Sequence, residues 1–156
     1  KAVTTDCGFS ILPNASFADC KAADIICVPG GHGVRQAVAD AELVDFVRRQ
    51  GAQAKWITSV CTGAFLLAAS GLLDGRAATT HWFYAPKLQA MYPALRVDGD
   101  RIFTRDGGVW TSAGMSAGID MTLALVEEDL GKEIAQFVRC AVKIVISACL
   151  ISRAEG

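Results

Sequence analysis

Ser59-Val60-Cys61-Thr62-Gly63 is the stretch whose residue types and spacing most plainly offer chemistry. Lys55-Trp56-Ile57-Thr58-Ser59-Val60 reads as a strand, and Ala64 to Ser70 reads as a helix that starts at once and closes at Gly71. A cysteine between a strand and the helix behind it sits on a sharp turn, and small flanking residues such as Ser59 and Gly63 let its side chain project. The unpaired N–H groups of the helix start then face the sulfur and favour the thiolate. Together with the backbone of Gly30-Gly31 they would stabilise an oxyanion on a bound carbonyl or carboxylate. The bland alternative for Cys61 is a buried structural thiol.

Two histidines accompany it. His81, in Thr79-Thr80-His81-Trp82, is placed after the elbow helix, where it deprotonates Cys61, binds a ligand, or serves as a buried hydrogen-bonded histidine. His32, in Pro29-Gly30-Gly31-His32-Gly33, lies on a loop that points at the same pocket or simply into solvent.

The elements that must position these residues are legible as a βαβ pattern. Asp24-Ile25-Ile26-Cys27-Val28 is a short β-branched run stopped by Pro29-Gly30-Gly31, as expected of a central parallel strand ending at a ligand-binding edge. A helix is predicted from Asp40, its N-cap, with Leu43, Phe46 and Val47 on one face and Gly51 as its stop. Trp82 to Met91 reads as a helix in which Pro86 imposes a late start or a kink. Asp106-Gly107 between Arg101-Ile102-Phe103-Thr104 and Val109-Trp110-Thr111 predicts a β-hairpin near 101–111. Ile119 to Leu130 reads as a buried helix ending at Gly131, and a last helix follows from Lys132. The apolar tail from Ala141 to Ile151 is expected to dock or to form a dimer contact.

Composition narrows the function classes. With 156 residues, 52% hydrophobic and 20% charged, the chain suits one folded domain over 1–156 and excludes disorder. A formal charge of −1 without a basic run leaves little counterion release to drive DNA binding by this chain alone. Cys7, Cys20, Cys27, Cys61, Cys140 and Cys149 include no C-x-x-C pair, so no metal site is expected. Their even number would allow disulfides, but several lie in apolar runs such as Ile25-Ile26-Cys27-Val28, where a thiol acts as a small core hydrophobe, so reduced thiols in a cytoplasmic location are favoured. The apolar runs fall short of the ~20 residues of a membrane helix, and no signal-peptide pattern opens the chain.

Pro29-Gly30-Gly31, the Cys61 elbow, and Ala78-Thr79-Thr80-His81-Trp82 together resemble the PfpI/ThiJ superfamily, the class I glutamine amidotransferase-like fold. Ile102-Phe103-Thr104-Arg105-Asp106-Gly107, Trp110-Thr111-Ser112-Ala113-Gly114, Ser116-Ala117-Gly118-Ile119-Asp120 and Leu125-Val126-Glu127-Glu128-Asp129-Leu130-Gly131 look more narrowly like the N-terminal sensor domain of AraC/GlxA-type transcriptional regulators.

That resemblance implies a flavodoxin-like parallel sheet flanked by helices, a homodimer and no cofactor. It puts Cys61 at the nucleophile position, the backbone of Gly31 and Thr62 at the oxyanion hole, and His81 beside them, with Gly30, His32 and Trp82 expected at the ligand pocket. Lys1 to Ala23 looks like a segment from inside the family domain, so a first strand, a first helix and an acidic partner for the cysteine are expected to be missing. DNA would be read only through a helix-turn-helix domain absent from this chain. The implied function is sensing of an unidentified small molecule by a regulator. The alternative is a cysteine-dependent enzyme similar to isocyanide hydratases, and oxidation of Cys61 is a third use compatible with the first.

Overall fold

A computed structural model describes residues 2–5 and 8–141. A small antiparallel pair, β1 (Val3–Thr4) and β2 (Ser10–Ile11), precedes the main α/β unit. The main sheet is built from β3 (Ile25–Val28), β4 (Trp56–Val60), β7 (Phe103–Asp106) and β8 (Val109–Ser112), in the order β3-β4-β8-β7. The pairs β3–β4 and β4–β8 run parallel, and β7 closes the sheet antiparallel to β8. Between these strands lie α1 (Val34–Ala39), α2 (Ala41–Gly51), α3 (Ala64–Ala69), and a short parallel pair, β5 (Ala77–Ala78) with β6 (Arg96–Val97), which brackets α4 (Ala85–Met91). The helix α5 (Met115–Leu130) follows β8, and residues 132–141 are again helical.

Strand alternation divides the core. Ile57 and Val109 turn to one face, where they pack with Phe65, Leu66, Leu67 and Val47 of the helices there. Their neighbours Trp56 and Trp110 turn to the other face, meeting Met121 and Leu125 of α5. The two indoles pack edge-on at 5.9 Å. The sheet is therefore covered on both sides, which explains why β4 is buried almost throughout while β3, an edge among the described residues, leaves Ile25 44% exposed.

The flavodoxin-like α/β fold read from the sequence is the observed one, with local differences at the hairpin turn and at the start of α5. The hairpin turn is Gly107-Gly108 rather than Asp106-Gly107, because Asp106 still pairs with Val109 and Gly107 takes φ +62. The helix α2 does end at Gly51, without a left-handed turn there; an added Cβ would come within 2.4 Å of a Leu72 methyl carbon, so its smallness also serves packing. The helix α5 begins at Met115, one turn before Ile119. Trp82–Tyr84 forms a 3-10 turn before α4, with Pro86 in the first turn of the helix: the late start, not the kink. Asp40 does cap α2, its Oδ1 accepting from the N–H groups of Glu42 and Leu43. Nearly all of the apolar tail, residues 142–151, lies outside the described residues.

Released from the turn, Asp106 ties the short β5–β6 pair to the main sheet. Its Oδ2 accepts from the Ala77 N–H at 2.8 Å and from Arg96 at 3.1 Å, with Arg76 close by. The Ala77 N–H, helped by the two guanidiniums, holds the Asp106 carboxyl below the usual carboxylate range. The unfolded chain therefore protonates first as pH falls, so this contribution is full at neutral pH and is lost as pH drops through the depressed folded value. Asp106→Ala is expected to cost about 1 kcal/mol at neutral pH, solvent screening included. In urea titrations its gap from the wild type should narrow in acid.

Candidate functional site

The parallel register sets Val28 beside Ser59, so the carboxyl ends of β3 and β4 deliver Pro29-Gly30-Gly31 and Cys61-Thr62-Gly63 to the same edge of the sheet. The two loops interlock. A Cβ on Gly63 would lie 2.1 Å from the Val28 carbonyl oxygen, and one on Gly30 would lie 2.7 Å from the Thr62 nitrogen, so neither position has room for a side chain. The Thr62 hydroxyl accepts from the Gly31 N–H at 3.0 Å and fastens the loops together.

Cys61 takes φ +56, unique among the non-glycine residues described. A side chain in this left-handed region costs roughly 1–2 kcal/mol. The surroundings hold it there. Thr80 donates its hydroxyl to the Cys61 carbonyl at 2.8 Å, Thr79 donates its N–H to the Thr111 hydroxyl at 2.7 Å, and both threonines are fully buried. The segment directly after β5, a strand anchored by Asp106, thus braces the turn. Cys61 itself is half-buried, whereas Cys20, Cys27 and Cys140 are exposed; Cys27 is not the core thiol its apolar run suggests, because β3 lies at the sheet edge among the described residues.

Over Cys61 opens a cavity of about 530 Å³, within the range usual for small-ligand sites. Gly31, His32 and Thr62 border it with Cys61. Gly30 lies behind, packed on the elbow. His81 and Trp82 stand off the lining. The His81 Nδ1 accepts from the Phe83 N–H at 3.3 Å, capping the 3-10 turn, and its ring stacks on Trp82, which is 69% exposed. Among the described residues no side chain hydrogen-bonds the Cys61 sulfur.

Sequence reasoning missed the remaining walls. Val34 and Val38 come from α1, Phe65 from α3, Tyr84 from the 3-10 turn and Met91 from α4, giving an apolar interior. Arg35 and Lys87 contribute the fixed charges. The signal for α1 was its apolar spacing, Val34, Ala37 and Val38, directly after the glycine loop.

A strained cysteine on a strand–turn–helix elbow, at the carboxyl edge of a parallel sheet and beside a cavity, defines a flavodoxin-like α/β domain with a nucleophile-elbow turn. More narrowly, residues 1–128 match the DJ-1/PfpI family, and the chain belongs to it. It is 46% identical over 137 residues to an isonitrile hydratase from Pseudomonas putida, covering 88% of this chain and 59% of that protein. It is 34% identical over 128 residues to the HTH-type transcriptional regulator GbdR from Pseudomonas aeruginosa, covering 82% of this chain and 34% of the regulator. A THiJ/PfpI family protein from Pseudomonas syringae superposes with a TM-score of 0.78 at 38% identity, covering 89% of this chain and 58% of that one. The chain thus spans between a third and three fifths of the length of these relatives. No helix among the described residues is long and apolar enough to cross a membrane.

Proposed function

We propose that this chain is the small-molecule-sensing and dimerising domain of an AraC-type transcriptional regulator that works in the cytoplasm. The cavity over Cys61, walled mostly by apolar side chains, carries this reading. The ligand would contact Cys61, Thr62 and the Gly31 backbone, and its occupancy would shift the arrangement of attached helix-turn-helix domains. Likeness to GbdR supports the regulator assignment. Trp82 and Phe83, 69% and 63% exposed with ring centroids 5.8 Å apart, form an apolar face suited to a second copy of the chain.

One observation favours a second reading, a Cys61-dependent hydratase: the 46% identity to the isonitrile hydratase. In that chemistry the Cys61 thiol would add to the isonitrile carbon, its sulfur forming the S–C bond and its proton passing to that carbon, and water would then add and expel the thiol to release the N-formyl amine. Against it, His81 stands off the cavity lining, with its Nδ1 accepting from the Phe83 N–H. The two readings separate by isonitrile turnover in the full-length protein and in Cys61→Ala. Turnover at the same background level in both is expected. Turnover that disappears with the thiol would overturn the sensing reading in favour of the enzyme.

A further inference from the structure

The charges around the cavity are one-sided. The chain carries 15 basic and 16 acidic residues, so the positive charge at the cavity does not follow from an excess of basic residues. The lining holds Arg35 and Lys87, with His32 beside them, and no aspartate or glutamate. Arg35 comes from α1 and Lys87 from α4, so the two cations converge from helices about fifty residues apart in sequence. Elsewhere most arginines are spoken for: Arg48, Arg49, Arg76, Arg96, Arg101 and Arg105 all pair with carboxylates. Arg35 and Lys87 pair with none among the described residues.

We propose that the cavity over Cys61 selects small organic anions, specifically a carboxylate on a short apolar body. Arg35 offers a planar fork that matches a carboxylate, and Lys87 adds a second positive charge. Val34, Val38, Phe65 and Met91 take the apolar body. Because Arg35 and Lys87 are exposed, their attraction is of the steering kind and weakens with salt. The inference rests on the reading of this cavity as the ligand site and names the chemistry that site takes.

Iodoacetate and iodoacetamide test it, since the two have nearly the same size and the same reactive carbon and differ in charge. Each alkylates the Cys61 thiolate by forming the S–CH2 bond as the C–I bond breaks; iodide departs with the bonding pair, and the thiol proton goes to buffer. In the full-length protein, rates are read by mass spectrometry on the tryptic peptide 56–76. The ratio of the iodoacetate rate to the iodoacetamide rate at Cys61 should exceed that of the uncharged thiol 2-mercaptoethanol by about fivefold at low ionic strength. It should fall to the free-thiol ratio at high salt and in the Arg35→Gln, Lys87→Gln double variant. A free-thiol ratio in the wild type, or a raised ratio that survives the double substitution, overturns the proposal.

Calorimetry with hexanoate and hexanamide reads the same selectivity without needing a reactive thiol. Hexanoate should bind more tightly, and the difference should vanish in the double variant; equal or absent binding of the pair overturns the proposal. Labelling of Cys61 by neither reagent, with hexanoate still preferred, would remove the reactive-thiol element and leave anion selection standing.

Discussion

Gly63→Ala is expected to cost about 3–5 kcal/mol, the range in which a single substitution in a domain of this size approaches loss of folding. The conformation of Gly63 is ordinary, φ −56 and ψ −24, so any residue could adopt it. The obstacle is space. An alanine Cβ would stand 2.1 Å from the Val28 carbonyl oxygen and 3.0 Å from the Pro29 backbone, where no rotamer change gives relief. Only separating the end of β3 from the elbow would relieve the clash, and that breaks the sheet and opens the cavity together. Gly33→Ala is the matched control, since nothing lies within 4 Å of the Cβ it would carry. Urea midpoints should show a large loss for the first and a change within about 0.5 kcal/mol for the second. Equal midpoints would mean that the two strand ends are not in contact.

Cys61→Gly should do two opposite things at once. All chemistry of the thiol disappears, while stability rises by about 0.5–1 kcal/mol as the left-handed turn at φ +56 loses its Cβ penalty, less the entropy glycine adds to the unfolded chain. Cys61→Ala also removes the thiol but keeps the penalty, so its stability should stay close to that of the wild type. The glycine–alanine difference isolates backbone strain from the sulfur. A glycine variant less stable than the alanine variant would show that the turn stores none. The strain is held in place by Thr80 on the Cys61 carbonyl and by the Gly31–Thr62 bond, an arrangement typical of sites where a side chain must be aimed.

The elbow was legible in the sequence because everything that makes it is local: an apolar strand, a small-residue turn and a helix start within fifteen residues. Strands β3 and β4, the hairpin, α2 and α3 were legible for the same reason, each bounded by its own Pro, Gly or Asp. The short pair β5–β6 was not. Ala77-Ala78 has no strand preference of its own, and its pairing with Arg96-Val97 is imposed by the distant Asp106 carboxylate. The Asp-Gly signal in the hairpin likewise misplaced the turn, since it could not reveal that Asp106 serves β5 instead. Of the cavity, the loop residues Gly31, His32 and Thr62 were legible from their motif. Arg35, Phe65 and Lys87 were not, since they meet only after three helices pack.

The most direct test compares the rate at which iodoacetamide alkylates Cys61 in the folded protein and in the same protein unfolded in urea, with exposed Cys20, Cys27 and Cys140 as internal standards. A half-buried thiol that merely packs reacts more slowly when folded, because the fold hides it. A thiol aimed into an open, cationic cavity reacts faster, relative to the standards, in the folded protein. Faster labelling in the fold is the result predicted here; slower labelling would contradict Cys61 as the working residue of this site.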